Sequence, residues 1–120
     1  MESTRQHKIA RLIQKDLSDI FLHFVREIQN TAPEHHLGGV LISVSEVRIS
    51  PDLAIAHIYL SIFPDAKANV MMALVEEHKG KIRGQLGALE RHQLHIIPEL
   101  HFHLDDTITQ MEHIDQLLHQ

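Results

Sequence analysis

The chain has 120 residues, a formal net charge of −5 and no cysteine, with 43% hydrophobic and 22% charged residues. This composition fits one globular domain that buries its own core, and it excludes disulfides, thiolate metal sites and cysteine nucleophiles. No apolar run approaches the roughly 20 residues that cross a bilayer. We therefore expect a soluble, cytoplasmic protein.

The first predicted element is a long amphipathic helix from about Thr4 to Ile28. Its apolar positions recur at helical spacing and form one arc: Ile9, Leu12, Ile13, Leu17, Ile20, Phe21, Phe24 and Ile28. At about 100° per residue, four cations fall on the opposite face: Arg5, Lys8, Arg11 and Lys15. Pro33 and the pair Gly38-Gly39 then predict a loop.

Two segments rich in β-branched residues predict a β-hairpin. In the first, Val40 to Ser50, the apolar residues switch midway from even-numbered to odd-numbered positions, which predicts a β-bulge. Ser50-Pro51-Asp52 supplies the turn, with proline at its second position. The second segment, Leu53 to Phe63, alternates as a strand with one buried face does.

The second half of the chain predicts two helices, a third strand and a terminal helix. One helical stripe consists of Val70, Met71, Leu74, Val75 and His78, and another of Ile82, Leu86 and Leu89. Gly80 lies between them and predicts a kink or a cap. Leu94 to Leu104 predicts a strand in which Pro98 favours an edge position or a bulge. A short amphipathic helix is predicted at 107–118.

The element order is α-β-β-α-α-β with a terminal helix, which predicts an α+β fold. Its three-stranded sheet is covered by helices on one face and is partly open on the other. No repeat, linker or low-complexity stretch divides the chain. We expect a single domain over residues 1–120, with its core at about 4–105.

Four short strings, taken in their order and spacing, carry a resemblance to a known family. They are Val44-Ser45-Glu46-Val47, Ser50-Pro51-Asp52-Leu53-Ala54-x-Ala56, Gly80-x-Ile82-Arg83-x-x-Leu86-Gly87 and Ile97-Pro98-Glu99-Leu100-x-Phe102-x-x-Asp105. From about Arg5 to Met111 the chain resembles the ribosome-binding factor A family. The resemblance implies a type II KH-like fold in which a helix–kink–helix with an Ala-x-Gly motif replaces the GXXG loop. The corresponding residues are His78-Lys79-Gly80, with His78 in place of the alanine.

The resemblance also implies a function. Members of the family bind the free small (30S) ribosomal subunit, assist late maturation and 5′-end processing of its 16S rRNA, and are needed most in the cold. We accordingly expect a monomeric RNA-binding protein whose partners are the small subunit and 16S rRNA, with no cofactor.

The net charge by itself argues against a nucleic-acid partner, but the positive charge is concentrated. The residues expected to face RNA are first Lys79, Lys81, Arg83 and Arg91 near the kink, and second Lys8, Arg11 and Lys15 on the first helix. Lys and Arg bind phosphates without reading bases, which suits structured RNA. The alternative interpretation of both groups is solvated surface charge.

Twelve histidines leave a second hypothesis open. His101 and His103 lie two apart on one strand and face the same way, and His57 could join them from a neighbouring strand. Three imidazoles could bind zinc, nickel or copper, and with Tyr59 they could form a protein-interaction surface. The alternative function is therefore a small metal-binding or protein-interaction module, although the sequence shows no ordered surroundings for a metal.

The sequence argues against an enzyme. The adjacent carboxylates Asp105-Asp106 and Glu76-Glu77 do not point together on a strand or a helix. Ser43, Ser45 and Ser50 lack a G-x-S-x-G context, and the chain has neither a P-loop nor a G-x-G-x-x-G motif. We predict no catalytic residue.

Overall fold

Helix α1 (Thr4–Thr31) begins the part of the chain that the computed structural model describes, residues 3–105. A capping box fixes its start: the Gln6 N–H donates to Ser3 Oγ at 3.1 Å, and the Ser3 N–H donates to Gln6 Oε1 at 2.7 Å. Gln6 is buried, and its Nε2 donates to the carbonyl of Ile49 at 2.9 Å. The first turn of the helix is thereby joined to the sheet.

Strands β1 (Leu41–Ile49) and β2 (Ile55–Phe63) form the predicted antiparallel hairpin. Their register shifts between Val44 and Glu46, so Ser45 is the extra residue of the predicted bulge. The turn closes where the Leu53 N–H donates to the carbonyl of Ser50 at 2.8 Å. The hairpin, the bulge and the turn are confirmed.

Strand β3 (Glu99–Leu104) runs parallel to β2 and gives the sheet order β1-β2-β3. It lies at an edge of the sheet, as Pro98 predicts, but it begins after this proline and not at Leu94. The longer prediction is wrong because Pro98 has no N–H for a ladder. The carbonyls of Ile97 and Pro98 accept hydrogen bonds from Arg83 and not from a strand.

Helices α2 (Ala68–Glu77) and α3 (Lys79–Glu90) follow the hairpin and pack with α1 on one face of the sheet. Deeply buried apolar side chains come from both layers, among them Ile13, Leu17, Phe21, Ile58, Leu60, Met71, Ile82, Leu86 and Leu100. Burial of each such side chain contributes about 1.5–3 kcal/mol. The predicted α+β class is confirmed, and the core fixes where the exposed side chains of the helices lie.

The break between α2 and α3 falls at His78, whose φ is −101° and ψ 15°. Gly80 lies in the first turn of α3, and Gly39 is the glycine with a positive φ. A Cβ added at Gly80 would meet no atom within 4 Å. The break lies in the segment that the resemblance indicates, but the backbone there does not require glycine.

The terminal helix predicted at 107–118 lies outside the described residues. Within residues 3–105, no helix combines the length and the apolar character that crossing a membrane requires.

Candidate nucleic-acid interface

The first half of α1 carries four cations on the face opposite its buried side: Arg5, Lys8, Arg11 and Lys15, here called the α1 stripe. All four side chains are exposed. None of them forms an ion pair with another residue of the described part of the chain. Residues three or four apart are neighbours on a helix surface, so the stripe is one continuous positive surface.

Helices α1 and α3 lie side by side and antiparallel. Lys81, near the start of α3, bonds to Glu27 near the end of α1. At the other end of α3, Glu90 lies close enough to Asp16 of α1 for their charges to interact. Arg91 follows α3 directly and is exposed. The cations of both helices therefore belong to one helical layer, with Arg91 nearer the α1 stripe than Lys81 is.

Lys79 and Lys81, beside the kink, both have partners within the protein. Lys81 Nζ donates to the Glu27 carboxylate, and this bond is the main reason why the pKa of Glu27 is lowered. Lys79 Nζ lies 3.8 Å from the Glu76 carboxylate and 5.9 Å from the centre of the Phe102 ring. The pair of Lys81 is exposed and that of Lys79 is partly exposed, and such pairs contribute little to stability, so a phosphate can compete with either carboxylate.

Arg83 holds the loop between α3 and β3. Its Nη2 donates to the carbonyl of Ile97 at 2.7 Å, and its Nε donates to the carbonyl of Pro98 at 3.2 Å. The planar guanidinium holds both donors in a fixed geometry, which a lysine ammonium does not. The structure gives Arg83 this internal contact, and an RNA contact by Arg83 stays a prediction.

His78 anchors the break between α2 and α3. Its backbone N–H and its ring Nδ1 both donate to the carbonyl of Leu74, at 3.0 and 2.9 Å. Its ring packs edge-on against Phe24, with 5.4 Å between the ring centroids. The carbonyl of Leu74 thus accepts a second hydrogen bond from the ring, in addition to the backbone bond that alanine at this position would keep.

The open face of the sheet carries the predicted histidine cluster, here called the histidine face: His57, His101 and His103, with Tyr59. The ring of His103 stacks on Tyr59 with 5.0 Å between centroids, and His57 meets His101 edge-on at 5.4 Å. The rings thus pack on one another. Among residues 3–105, no group of three or more His, Asp or Glu is arranged to hold a metal ion.

A cleft separates the beginning of α1 from the loop between α3 and β3. It consists of two cavities, of about 260 and about 410 Å³, which share Arg5, Ile9, Gln93 and Leu94. The smaller cavity extends towards the hairpin turn, and the larger one is bordered by Lys8 of the α1 stripe. The sequence prediction missed this cleft because it assigned residues 94–98 to a strand and left Arg5 out of the RNA-facing set.

Glu90 is a buried carboxyl that the sequence prediction also missed. Its side chain is fully buried, and neither oxygen has a hydrogen-bond partner among the described residues. Burial, with a smaller contribution from the charge of Asp16, raises the pKa of Glu90 to about 7. A signal was present in the sequence, because Ile82, Leu86 and Glu90 recur at a spacing of four and so share one face of α3.

The arrangement of the described elements defines a structural class. The order α-β-β-α-α-β, with an antiparallel hairpin, a parallel third strand and a break between the second and third helices, is that of a KH-like domain. A solved structure agrees: ribosome-binding factor A from Thermus thermophilus matches with a TM-score of 0.60 at 15% identity, over 82% of this chain and 94% of that one. The protein is a small KH-like α+β domain.

Sequence comparison adds the family. The family model for ribosome-binding factor A matches residues 5–118. A relative of that name from Cytophaga hutchinsonii is 42% identical over 118 residues, which cover 98% of this chain and 83% of the relative. Another from Christiangramia forsetii is 39% identical over 115 residues, which cover 96% of this chain and 82% of the relative. The chain belongs to the ribosome-binding factor A family, and the resemblance in the sequence is confirmed.

Proposed function

We propose that the protein binds the free small (30S) ribosomal subunit and assists late maturation of its 16S rRNA, including processing of the 5′ end. Family membership supports a ribosomal partner. The α1 stripe is the observation that carries the proposal, because it concentrates positive charge that no acidic residue among residues 3–105 pairs, in a chain of net charge −5. Phosphate contacts from such a surface give RNA affinity without sequence reading.

The contact surface extends from the α1 stripe along α3. Arg5 and Lys15 are separated by ten helical residues, about 15 Å, which is enough to contact several phosphates of one strand. Arg91 adds a cation at the adjoining end of α3, and Lys79 and Lys81 add two at the kink. Arg83 supports this surface by holding the neighbouring loop.

The proposed activity needs no catalytic group and no cofactor. A factor that binds one rRNA conformation more tightly than another shifts the population towards it, in proportion to the difference in affinity. We place this activity in the cytoplasm, where the protein acts as a monomer on a maturing subunit.

Co-sedimentation tests the ribosomal partner. The purified protein is centrifuged with small subunits, large subunits and whole ribosomes over a series of salt concentrations. We expect selective migration with free small subunits that is lost as salt rises, because each phosphate contact releases counterions. Failure to migrate with small subunits at low salt would overturn the proposal.

A charge-reversal variant tests the surface. Lys8→Glu, Arg11→Glu and Lys15→Glu together should weaken binding to small subunits by tenfold or more and should flatten its salt dependence. Arg26→Glu is the matched control, since Arg26 is an exposed cation of the same helix outside the α1 stripe. Equal binding by both variants would move the RNA contact to another surface.

A host that lacks its own family member tests the processing step. Grown in the cold, it should accumulate 16S rRNA precursors with extended 5′ ends, and the native chain should restore the mature end. The α1 stripe variant should not restore it. Normal 5′ ends in the host without the factor would contradict this part of the proposal.

A further inference from the structure

We propose that the cleft between α1 and the α3–β3 loop binds one unpaired nucleotide of RNA, with its base in the smaller cavity and its phosphate on Arg5 and Lys8. This inference rests on the proposed function and names the RNA feature that the surface takes. The observations behind it are the shape of the cleft, the separation of charge along it and its continuity with the α1 stripe.

The smaller cavity has the walls and the size for one ring system. Its apolar lining comes from three segments that are distant in sequence: Ile9, Leu53, Ala54, Leu94, Ile96 and Pro98. At about 260 Å³ it is smaller than the roughly 300–1,000 Å³ of pockets for drug-sized ligands. Ile96 is 78% exposed, which leaves an apolar side chain in water that a bound base would cover.

The two ends of the cleft carry opposite charges, so a bound nucleotide has one favourable orientation. Arg5 and Lys8 lie on the side of the α1 stripe, and Asp52 lies on the side of the hairpin turn. Asp52 Oδ1 accepts hydrogen bonds from Ser50 Oγ at 2.6 Å and from the Ala54 N–H at 3.1 Å. These bonds, the Ser50 bond first, lower the pKa of Asp52, so its carboxylate stays ionised at neutral pH.

An ionised carboxylate repels a phosphate and accepts hydrogen bonds from amino groups of a base. The phosphate is therefore directed to the cations, and the base is directed to the turn. A base that is paired and stacked in a duplex cannot enter a cavity of this kind, whereas an unpaired base can be turned out into it. The phosphates on either side of that nucleotide would continue along the α1 stripe.

The test uses the full chain and two probes: a short single-stranded RNA of mixed sequence, and the same strand annealed to its complement. Ala54→Leu places a larger side chain in the cavity and leaves every cation unchanged. We expect this variant to bind the single strand about tenfold more weakly than the native chain does, with duplex binding unchanged. Arg5→Glu with Lys8→Glu should weaken binding of both probes.

Ala73→Leu is the matched control, because it makes the same change at an exposed alanine of α2. It should bind both probes as the native chain does. In the native chain, the Ala54 methyl resonance should shift when single-stranded RNA is added, and this readout does not depend on a variant that folds.

Two results would overturn the inference: native affinity of Ala54→Leu for the single strand, or an Ala54 methyl resonance that single-stranded RNA leaves unmoved. In either case, migration of the native protein with small subunits would leave the proposed function intact. Loss of that migration alone would refute the proposed function and not the nucleotide site.

Discussion

Nδ1 of His57 lies 2.9 Å from Nε2 of His103, across two neighbouring strands on the open face of the sheet. Such a bond needs one nitrogen to donate and the other to accept, so it cannot persist when both rings are fully protonated. Burial, followed by the charges of His103 and His101, lowers the pKa of His57. Acid therefore acts on the histidine face by charging His57, a ring that is easier to protonate in the unfolded chain than in the folded one.

We predict that the stability contributed by His57 falls as the pH drops below about 6.5, the ordinary pKa of histidine, which is opposite in sign to the contribution of Glu90. The unfolded chain takes up a proton at His57 before the folded chain does, so the stability contributed by the neutral ring is present above that pH. It is lost as the pH falls through the lowered pKa of the folded state. Urea unfolding of the native chain and of His57→Gln, measured from about pH 8 to about pH 5, should show that the stability of the native chain relative to the variant decreases as the pH falls. Parallel curves would assign the acid sensitivity to other groups.

Gly80→Ala should stabilise the protein by about 0.5–1 kcal/mol, although the sequence suggested that this glycine forms the kink. The reason is that Gly80 is helical and exposed, with open space where a Cβ would lie. Gly84→Ala, in the same helix with the same open space, is the matched comparison. Gly39→Ala should destabilise instead, because its φ is +82°. Thermal unfolding checks all three, and a lower melting temperature for Gly80→Ala would show that the break does require glycine.

The hairpin and the three helices could be predicted because the spacing of apolar residues reports which face is buried. The start of β3 could not, because Leu94 and Ile97 pack against the core from a loop. Apolar spacing records burial, and it does not record whether the backbone joins a ladder. The α1 stripe follows from helical geometry alone. The cleft could not be predicted, because it joins segments near residues 5–9, 52–54 and 93–98 that only the tertiary fold brings together.

Arg83→Met should destabilise the protein by roughly 1 kcal/mol, because it keeps most of the stem and removes both donors to the loop carbonyls. Lys81→Met should change stability little, since it breaks one exposed ion pair. Urea unfolding measures the difference between the two variants. If the two changes have equal effects, the loop does not depend on the guanidinium, and Arg83 is free for RNA as the sequence predicted.

Glu90→Met should stabilise the protein at alkaline pH and should change its stability much less below pH 4.5. The carboxyl of Glu90 has an ordinary pKa of 4.5 and a folded pKa of about 7, so the folded chain binds a proton over that range that the unfolded chain has released. The folded state therefore loses stability as the pH rises from 4.5 through about 7, by at most about 3 kcal/mol. Methionine has a similar volume and no charge, so it removes this dependence.

Urea unfolding measures the free energy of unfolding of the native chain and of Glu90→Met. The measurement is made at several pH values between 4.5 and about 7, and above that range. Asp16→Asn provides the control for the neighbouring charge, and it should give a smaller gain in the same direction, because burial is the larger cause of the raised pKa. A difference between Glu90→Met and the native chain that stays constant with pH would mean that the buried carboxyl does not titrate in this range. The benefit of methionine would then come from packing alone.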